Sequence, residues 1–151
     1  LMQTFLPLPS YRKSASVLDN RRLGKQRVEA IQIARVLTGL STGWQHHPAV
    51  KMWRGYERAL LAYGKFMCKE WIRRGFQDSL LAQFRLLQAE HYAEVPVVHP
   101  AWLGTDTFHA SHRSNLLRKD PDYYGQWGWT EPSDLPYIWP QGHDHKGITE
   151  G

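Results

Sequence analysis

Between Ala49 and Arg74 the chain places Trp53, Tyr56, Leu60, Tyr63, Met67 and Trp71 at intervals of three and four residues. At ~100° per residue these six side chains fall within one arc, the stripe of a helix whose face is buried. Such a face needs other elements to cover it, which favours helix-on-helix packing. Pro48 suits the first turn of this helix and Gly75 its end. The opposite arc is basic, with Lys51, Arg54, Arg58, Lys65, Lys69 and Arg73, while the only acids, Glu57 and Glu70, lie off it. That arc is either ordinary solvated surface or a surface for phosphates.

The remaining pattern is also helical. Val17 to Leu37 reads as a helix closed by Gly39, "DSLLAQFRLLQAEH" as another with Asp78 or Ser79 as cap, and "FHASHRSNLLRK" as a short one stopped by Pro121. Prolines 7 and 9 forbid regular helix at the start, predicting an extended arm laid on the body. From Asp120 the chain is rich in Pro, Gly and aromatics, predicting ordered but irregular structure. The 151 residues suit one domain. The expected fold is all-α: a compact single-domain bundle of three to four helices with an extended N-terminal arm and an irregular aromatic-rich C-terminal tail. Residues 1–140 would form the domain and 141–151 a flexible tail.

A net charge of +5 favours polyanionic partners. Cys68 is the single cysteine, which excludes a disulfide framework and fits a reducing compartment. The start "LMQTFLPLPS" lacks the basic and long apolar regions of a signal peptide, and no stretch approaches the ~18 apolar residues of a membrane span. A cytoplasmic, nucleoid-associated protein with no membrane partner is expected. His109 and His112 share a helix face at i,i+3, His46 and His47 diverge, and His143 and His145 fall in the tail. No third ligand joins the first pair, so no metal is expected, and without a P-loop or a G-x-G-x-x-G motif no cofactor is expected.

Two segments concentrate chemistry. In "SVLDNRRLGKQRVEAIQIARVL", Leu23, Ala30, Ile33, Ala34 and Leu37 share one helix side, and Arg21, Arg22, Lys25, Glu29, Gln32 and Arg35 share the other. Glu29 lies one turn from Lys25, among cations expected to lower its pKa. The cluster is either a set of intrahelical salt bridges or a reactive site. In "HRSNLLRKDPDYYGQWGW", His112, Arg113, Arg118 and Lys119 precede Tyr123, Tyr124, Trp127 and Trp129. Cations track phosphates and rings stack on bases, so this run either recognises nucleic acid or covers the core.

These motifs, in their order, resemble the pyrimidine-dimer DNA glycosylase/AP lyase family of the phage endonuclease V type, in particular a bacterial branch beginning "MQTFLP". The likeness rests on the short arm, on "RRLGKQRV" where the phage enzyme has an Arg-Glu-Leu-Pro-Arg-Val element, and on "ERALLAYGKFMCKEWIRRGF" ending in the same Arg-Gly-Phe. It rests also on "HASHRSNLLRKDPDYYGQWG", matching a His-containing helix, a proline and an aromatic basic tail. It spans most of residues 2 to 129.

The resemblance implies base excision. A nucleotide is flipped out of duplex DNA, an α-amine at the chain start attacks the sugar C1′, and a Schiff base permits strand cleavage, while a glutamate stabilises the oxocarbenium-like sugar and moves protons. Arg22 stands where the phage element has its glutamate, so Glu29 is the expected substitute, with Asp19 behind it. Met2, in a chain that begins there, or Lys25 is the expected nucleophile. Arg21, Arg22, Arg27, Arg118 and Lys119 are the expected phosphate clamps, joined at the DNA surface by His112 and Arg113, and Tyr124 and Trp127 would contact the distorted strand. The partner is lesion-bearing duplex DNA, met by a monomer. The alternatives are a non-catalytic nucleic-acid-binding protein on the same scaffold and a helical protein-interaction domain.

Overall fold

The structure, a computed structural model, describes residues 2–142; His143, His145 and the rest of the expected tail from 143 lie outside the described residues. Among the described residues there are seven α-helices and no strand: α1 Tyr11–Val17, α2 Asn20–Thr38, α3 Pro48–Lys51, α4 Glu57–Arg73, α5 Leu81–His91, α6 Asp106–Lys119 and α7 Pro121–Tyr124, followed by a 3-10 turn, Gly125–Trp127. The all-α expectation holds, but three to four helices is too few. The helix expected from Val17 is preceded by α1, which Ser10 caps by accepting the Lys13 N–H at 3.1 Å. Leu18 and Asp19 are then extended, and Asp19 caps α2 by accepting the Arg22 N–H at 3.3 Å.

The expected helix from Ala49 to Arg74 is likewise interrupted. Pro48 opens α3 as anticipated, but regular helix stops after Lys51, and Gly55 turns the chain with φ +86°. Glu57 then accepts the Gly55 N–H at 2.7 Å beside the first turn of α4. The apolar stripe is preserved across the break, since Trp53, Tyr56, Leu60, Tyr63 and Met67 are all buried. Trp71, the sixth residue of the expected stripe, is only half-buried, so helical phasing identified five of its six residues as core while assuming one continuous rod. Gly75, with φ +96°, ends α4 as expected, and Asp78 holds the start of α5 by accepting the N–H groups of Leu80 and Leu81 at 3.1 and 2.7 Å.

At the centre of the fold α4 packs against α2, α1 and α5. Leu23, Ala30 and Ile33 of α2 meet Leu60, Tyr63 and Met67 of α4 in one core, each large apolar side chain contributing about 1.5–3 kcal/mol by its burial. Gly64 permits the α4–α5 approach: a Cβ there would lie 2.2 Å from the Phe84 ring.

The arm does not lie on the body; residues 2–7 are buried within it. An extended segment without a sheet partner must find other partners for its peptide groups, and here side chains supply them. The Phe5 N–H donates to Gln26 Oε1 (2.9 Å) and the Leu6 N–H to His112 Nδ1 (2.8 Å). Carbonyls are met too: Tyr63 donates to Phe5 O (2.9 Å), His109 Nδ1 reaches Leu6 O (2.7 Å), and Arg113 donates to Pro7 O (2.9 Å). The chain after the 3-10 turn then runs back along α6. Arg118 donates to Ser133 O (3.0 Å), Asn115 Nδ2 to Leu135 O (3.1 Å), and the Ile138 N–H to Ser111 Oγ (3.3 Å). Gly142, where described, lies against the backbone of Lys51 and Arg54, too close for any Cβ.

Candidate active site

The start of the arm, the N-terminal half of α2 and the end of α6 enclose a cleft of about 250 Å³. Three of its cations, Arg21, Lys25 and Lys119, have no ion-pair partner within 4 Å among the described residues. Arg22 adds a fourth, shared with Asp19 at 3.2 Å. Burial together with the positive charges of Arg22, Arg118 and Lys25 lowers the Lys119 pKa from its ordinary value. Within this ring stands Glu29, half-buried, whose Oε2 accepts the backbone N–H of Gln3 at 2.8 Å. Gln3, Phe5, Gln26 and Tyr137 complete the walls.

Local sequence explains this placement. Arg21, Arg22, Lys25 and Glu29 recur at three- and four-residue steps on the α2 face opposite Leu23 and Ala30, so packing α2 on α4 turns them outward together. Intrahelical salt bridging does not account for the cluster, because Lys25 and Glu29 do not come within ion-pair distance. The expected lowering of the Glu29 pKa is also corrected: burial raises it, and this outweighs the opposing effects of the Gln3 N–H, Lys25 and Gln26.

The other expected site residues divide sharply. Met2 packs its side chain into the core, with its backbone one residue from the Glu29 contact. Asp19 is occupied as a helix cap and by the Tyr124 hydroxyl, which keeps its carboxyl below the usual range despite partial burial. Arg27 points away from the cleft, ion-paired with Asp78 and stacked 4.5 Å from the Trp71 ring centroid. His112 is fully buried on the arm, and Arg113 is held by Glu131 at 2.9 Å, so both clamp the arm and the returning chain. Their place on the helix bearing Arg118 and Lys119 gave no sign of this, because the arm that covers them lies about a hundred residues away. Arg118 binds the returning segment through Ser133 O.

Tyr124 is also buried, stacked on Trp129 with ring centroids 5.7 Å apart, whereas Trp127 remains 38% exposed on the 3-10 turn. The aromatic run is thus mostly core cover, with one ring left outside. The basic arc of α4 is dispersed by its own contacts. Arg58 donates to Val95 O, Lys65 to Gln88 (2.6 Å), and Arg73 pairs with Glu70 (2.6 Å). His109 and His112 do converge, but on the Leu6 peptide. Among the described residues no three His, Cys, Asp or Glu side chains gather as metal ligands, and no helix is long and apolar enough to cross a membrane.

Gln3, Gln26 and Tyr137 were not anticipated. Gln26 lies within the cationic segment and carried a partial signal. Gln3 and Tyr137 reach the cleft through the buried arm and the returning chain, which no local periodicity encodes.

A profile of a family described as pyrimidine dimer DNA glycosylase matches residues 2–84 of this chain. No curated protein and no solved structure gives a significant match.

Proposed function

Since the chain belongs to the pyrimidine dimer DNA glycosylase family, we propose that it excises a damaged or modified base from duplex DNA in the cleft around Glu29. The observation carrying this reading is the meeting of one half-buried carboxylate, Gln3 of the buried arm and four cations in one concavity. The cations would hold the phosphates on either side of an extruded nucleotide, positioning its sugar over Glu29. As the bond between C1′ and the base breaks, positive charge develops on the sugar, and the Glu29 carboxylate stabilises it. Burial raises its pKa above the ordinary carboxylate value, which makes it a better proton acceptor than an exposed glutamate.

Two amines are candidates for attack on C1′. In a chain beginning at Met2, the α-amine would lie about one residue step, ~3.8 Å of chain, from the backbone held by Glu29. Its ordinary pKa of about 8 would leave part of it as free base near neutrality. The Lys25 side chain, at the cleft wall, is the other. Attack by either expels the base and yields an iminium on the opened sugar. Loss of a C2′ proton, with Glu29 as acceptor, then permits departure of the 3′ phosphate.

Borohydride trapping on abasic-site duplex, with mass spectrometry of the adduct, tests this directly on protein beginning at Met2. An adduct at the α-amine or at Lys25 supports the lyase. Base release without an adduct leaves a glycosylase that activates water. Neither release nor adduct on any damaged duplex, with salt-dependent binding retained, would instead establish a non-catalytic DNA-binding protein, the reading favoured by Arg22 at the position of the family glutamate.

A further inference from the structure

We propose that the loop joining α2 to α3 is a second nucleic-acid contact outside the cleft, where Trp44 stacks on one unpaired base of a DNA strand. This rests on the reading of DNA as the partner. The first observation is the backbone that carries the ring. Trp44 is the one non-glycine residue with positive φ among the described residues, at +66°, a left-handed conformation in which the Cβ of an L residue crowds its own backbone. Glycine would adopt it more readily.

Packing does not explain why a tryptophan stands there. Trp44 is 60% exposed, and its ring meets His47 edge-on at 5.8 Å. Residues 39–46 are all exposed. A large apolar ring held in a costly backbone conformation, yet left mostly in water, points to a use outside the fold. The loop is nonetheless held in shape. The His47 N–H donates to Trp44 O at 2.9 Å, Gln45 Nε2 to Thr42 O at 2.8 Å, and Arg54 to Gln45 O at 3.4 Å. His47 Nδ1 accepts the Ala49 N–H at 3.0 Å, which fixes its ring at the start of α3. With Thr42, Gln45, His46 and His47, Trp44 lines a surface concavity of about 490 Å³.

Charge and position select the occupant. No Asp or Glu occurs between Glu29 and Glu57. Arg54, beside Gln45, has no ion-pair partner within 4 Å among the described residues. A ring beside a free cation matches a single strand, whose bases offer π-faces and whose phosphates carry the charge. His47 also meets the Trp139 ring at 6.1 Å, and Trp139 meets Tyr137, at the cleft wall, at 5.6 Å. A row of rings thus leads from the cleft to the loop, within about five nucleotide steps at ~3.4 Å per step.

The test is binding, by fluorescence anisotropy at fixed salt, of a short mixed-sequence DNA strand and of a strand of equal length without bases. Trp44→Gly should weaken the first about five- to hundredfold, the loss of one stacked base, and leave the second unchanged. Trp44→Tyr, which keeps a ring, should retain most of the affinity. Because glycine suits the left-handed backbone, Trp44→Gly should melt no lower than wild type. Equal binding of the intact strand by wild type and Trp44→Gly, an equal loss on the base-free strand, or a lower melting temperature for Trp44→Gly would each overturn the proposal. Base release from fully paired damaged duplex is measured separately. Trp44-dependent strand binding without release refutes the glycosylase reading and keeps this contact, whereas release without Trp44-dependent binding does the reverse.

Discussion

Glu29 Oε2 accepts the backbone N–H of Gln3 at 2.8 Å, joining the buried arm to the α2 face that carries Arg21, Arg22 and Lys25. Glu29→Gln keeps an acceptor for that N–H, so the arm should stay in place while the charge is lost. Single-turnover base release should fall by about 10²–10⁴-fold with little change in melting temperature. In the wild type, activity requiring the carboxylate should decline on acidification through a pKa above the ordinary 4.5, since burial raises it. An undiminished rate in Glu29→Gln would remove Glu29 from the chemistry.

His112 makes folding sensitive to acid. Its Nδ1 accepts the Leu6 N–H, and burial lowers its pKa from 6.5 to about 3. Between those values the unfolded chain holds a proton that the folded chain excludes, so the His112 contribution is present above 6.5 and is lost as pH falls through about 3. The loss from this group approaches about 1.4 kcal/mol per pH unit below pH 6. Burial also lowers the His109 pKa, adding the same sign, whereas Glu29, with its raised pKa, acts oppositely just above 4.5. Urea denaturation at pH 7.5, 6 and 5 measures the net slope. Nitrogen NMR should find His112 neutral and protonated at Nε2 at pH 5; an imidazolium there would contradict the assignment.

Asp78 serves two elements, pairing with Arg27 and capping α5 through the N–H groups of Leu80 and Leu81. Its side chain is 1% exposed, so Asp78→Ala leaves Arg27 unpaired and should cost about 3 kcal/mol in chemical denaturation. Asp78→Asn, which retains the capping oxygen, should cost less.

Gly64→Ala should destabilise the fold by about 1–3 kcal/mol, because its Cβ would fall 2.2 Å from the Phe84 ring between α4 and α5. Truncating Phe84 to Leu in the same chain should recover part of the loss, which a thermal melt of the double variant would show.

Removing cleft cations should alter DNA binding in a salt-dependent way. If Arg21, Lys25 and Lys119 each neutralise one phosphate, every substitution by Ala should reduce the slope of log K against log salt by about 0.9. Arg113→Gln should leave that slope unchanged but lower the melting temperature, because Arg113 is spent on Glu131 and Pro7. A changed slope for Arg113→Gln would return it to the DNA surface.

Short-range pattern carried much of this protein. The spacing of Leu23, Ala30 and Ile33 on α2 and of Leu60, Tyr63 and Met67 on α4 specified the faces that meet in the core. The same 3.6-residue geometry gathered Arg21, Arg22, Lys25 and Glu29 on one side before any fold was known. Periodicity did not locate the breaks at Leu18 and Gly55, because an apolar stripe can continue through a turn whose side chains stay buried.

What the tertiary structure alone decided was the use of each polar residue. Arg27, His112 and Arg113 resemble DNA-facing groups in the chain, yet Asp78, Leu6 and Glu131, each on another segment, engage them in contacts within the fold. The buried arm is the physical cause for two of them: its peptide groups, stripped of water and without a neighbouring strand, required side-chain partners from α6. Sequence thus determined the helical faces and the cationic cluster holding Glu29. The path of the arm and the return of the chain along α6 brought Gln3 and Tyr137 to that cluster, through contacts spanning more than a hundred residues that no local pattern encodes.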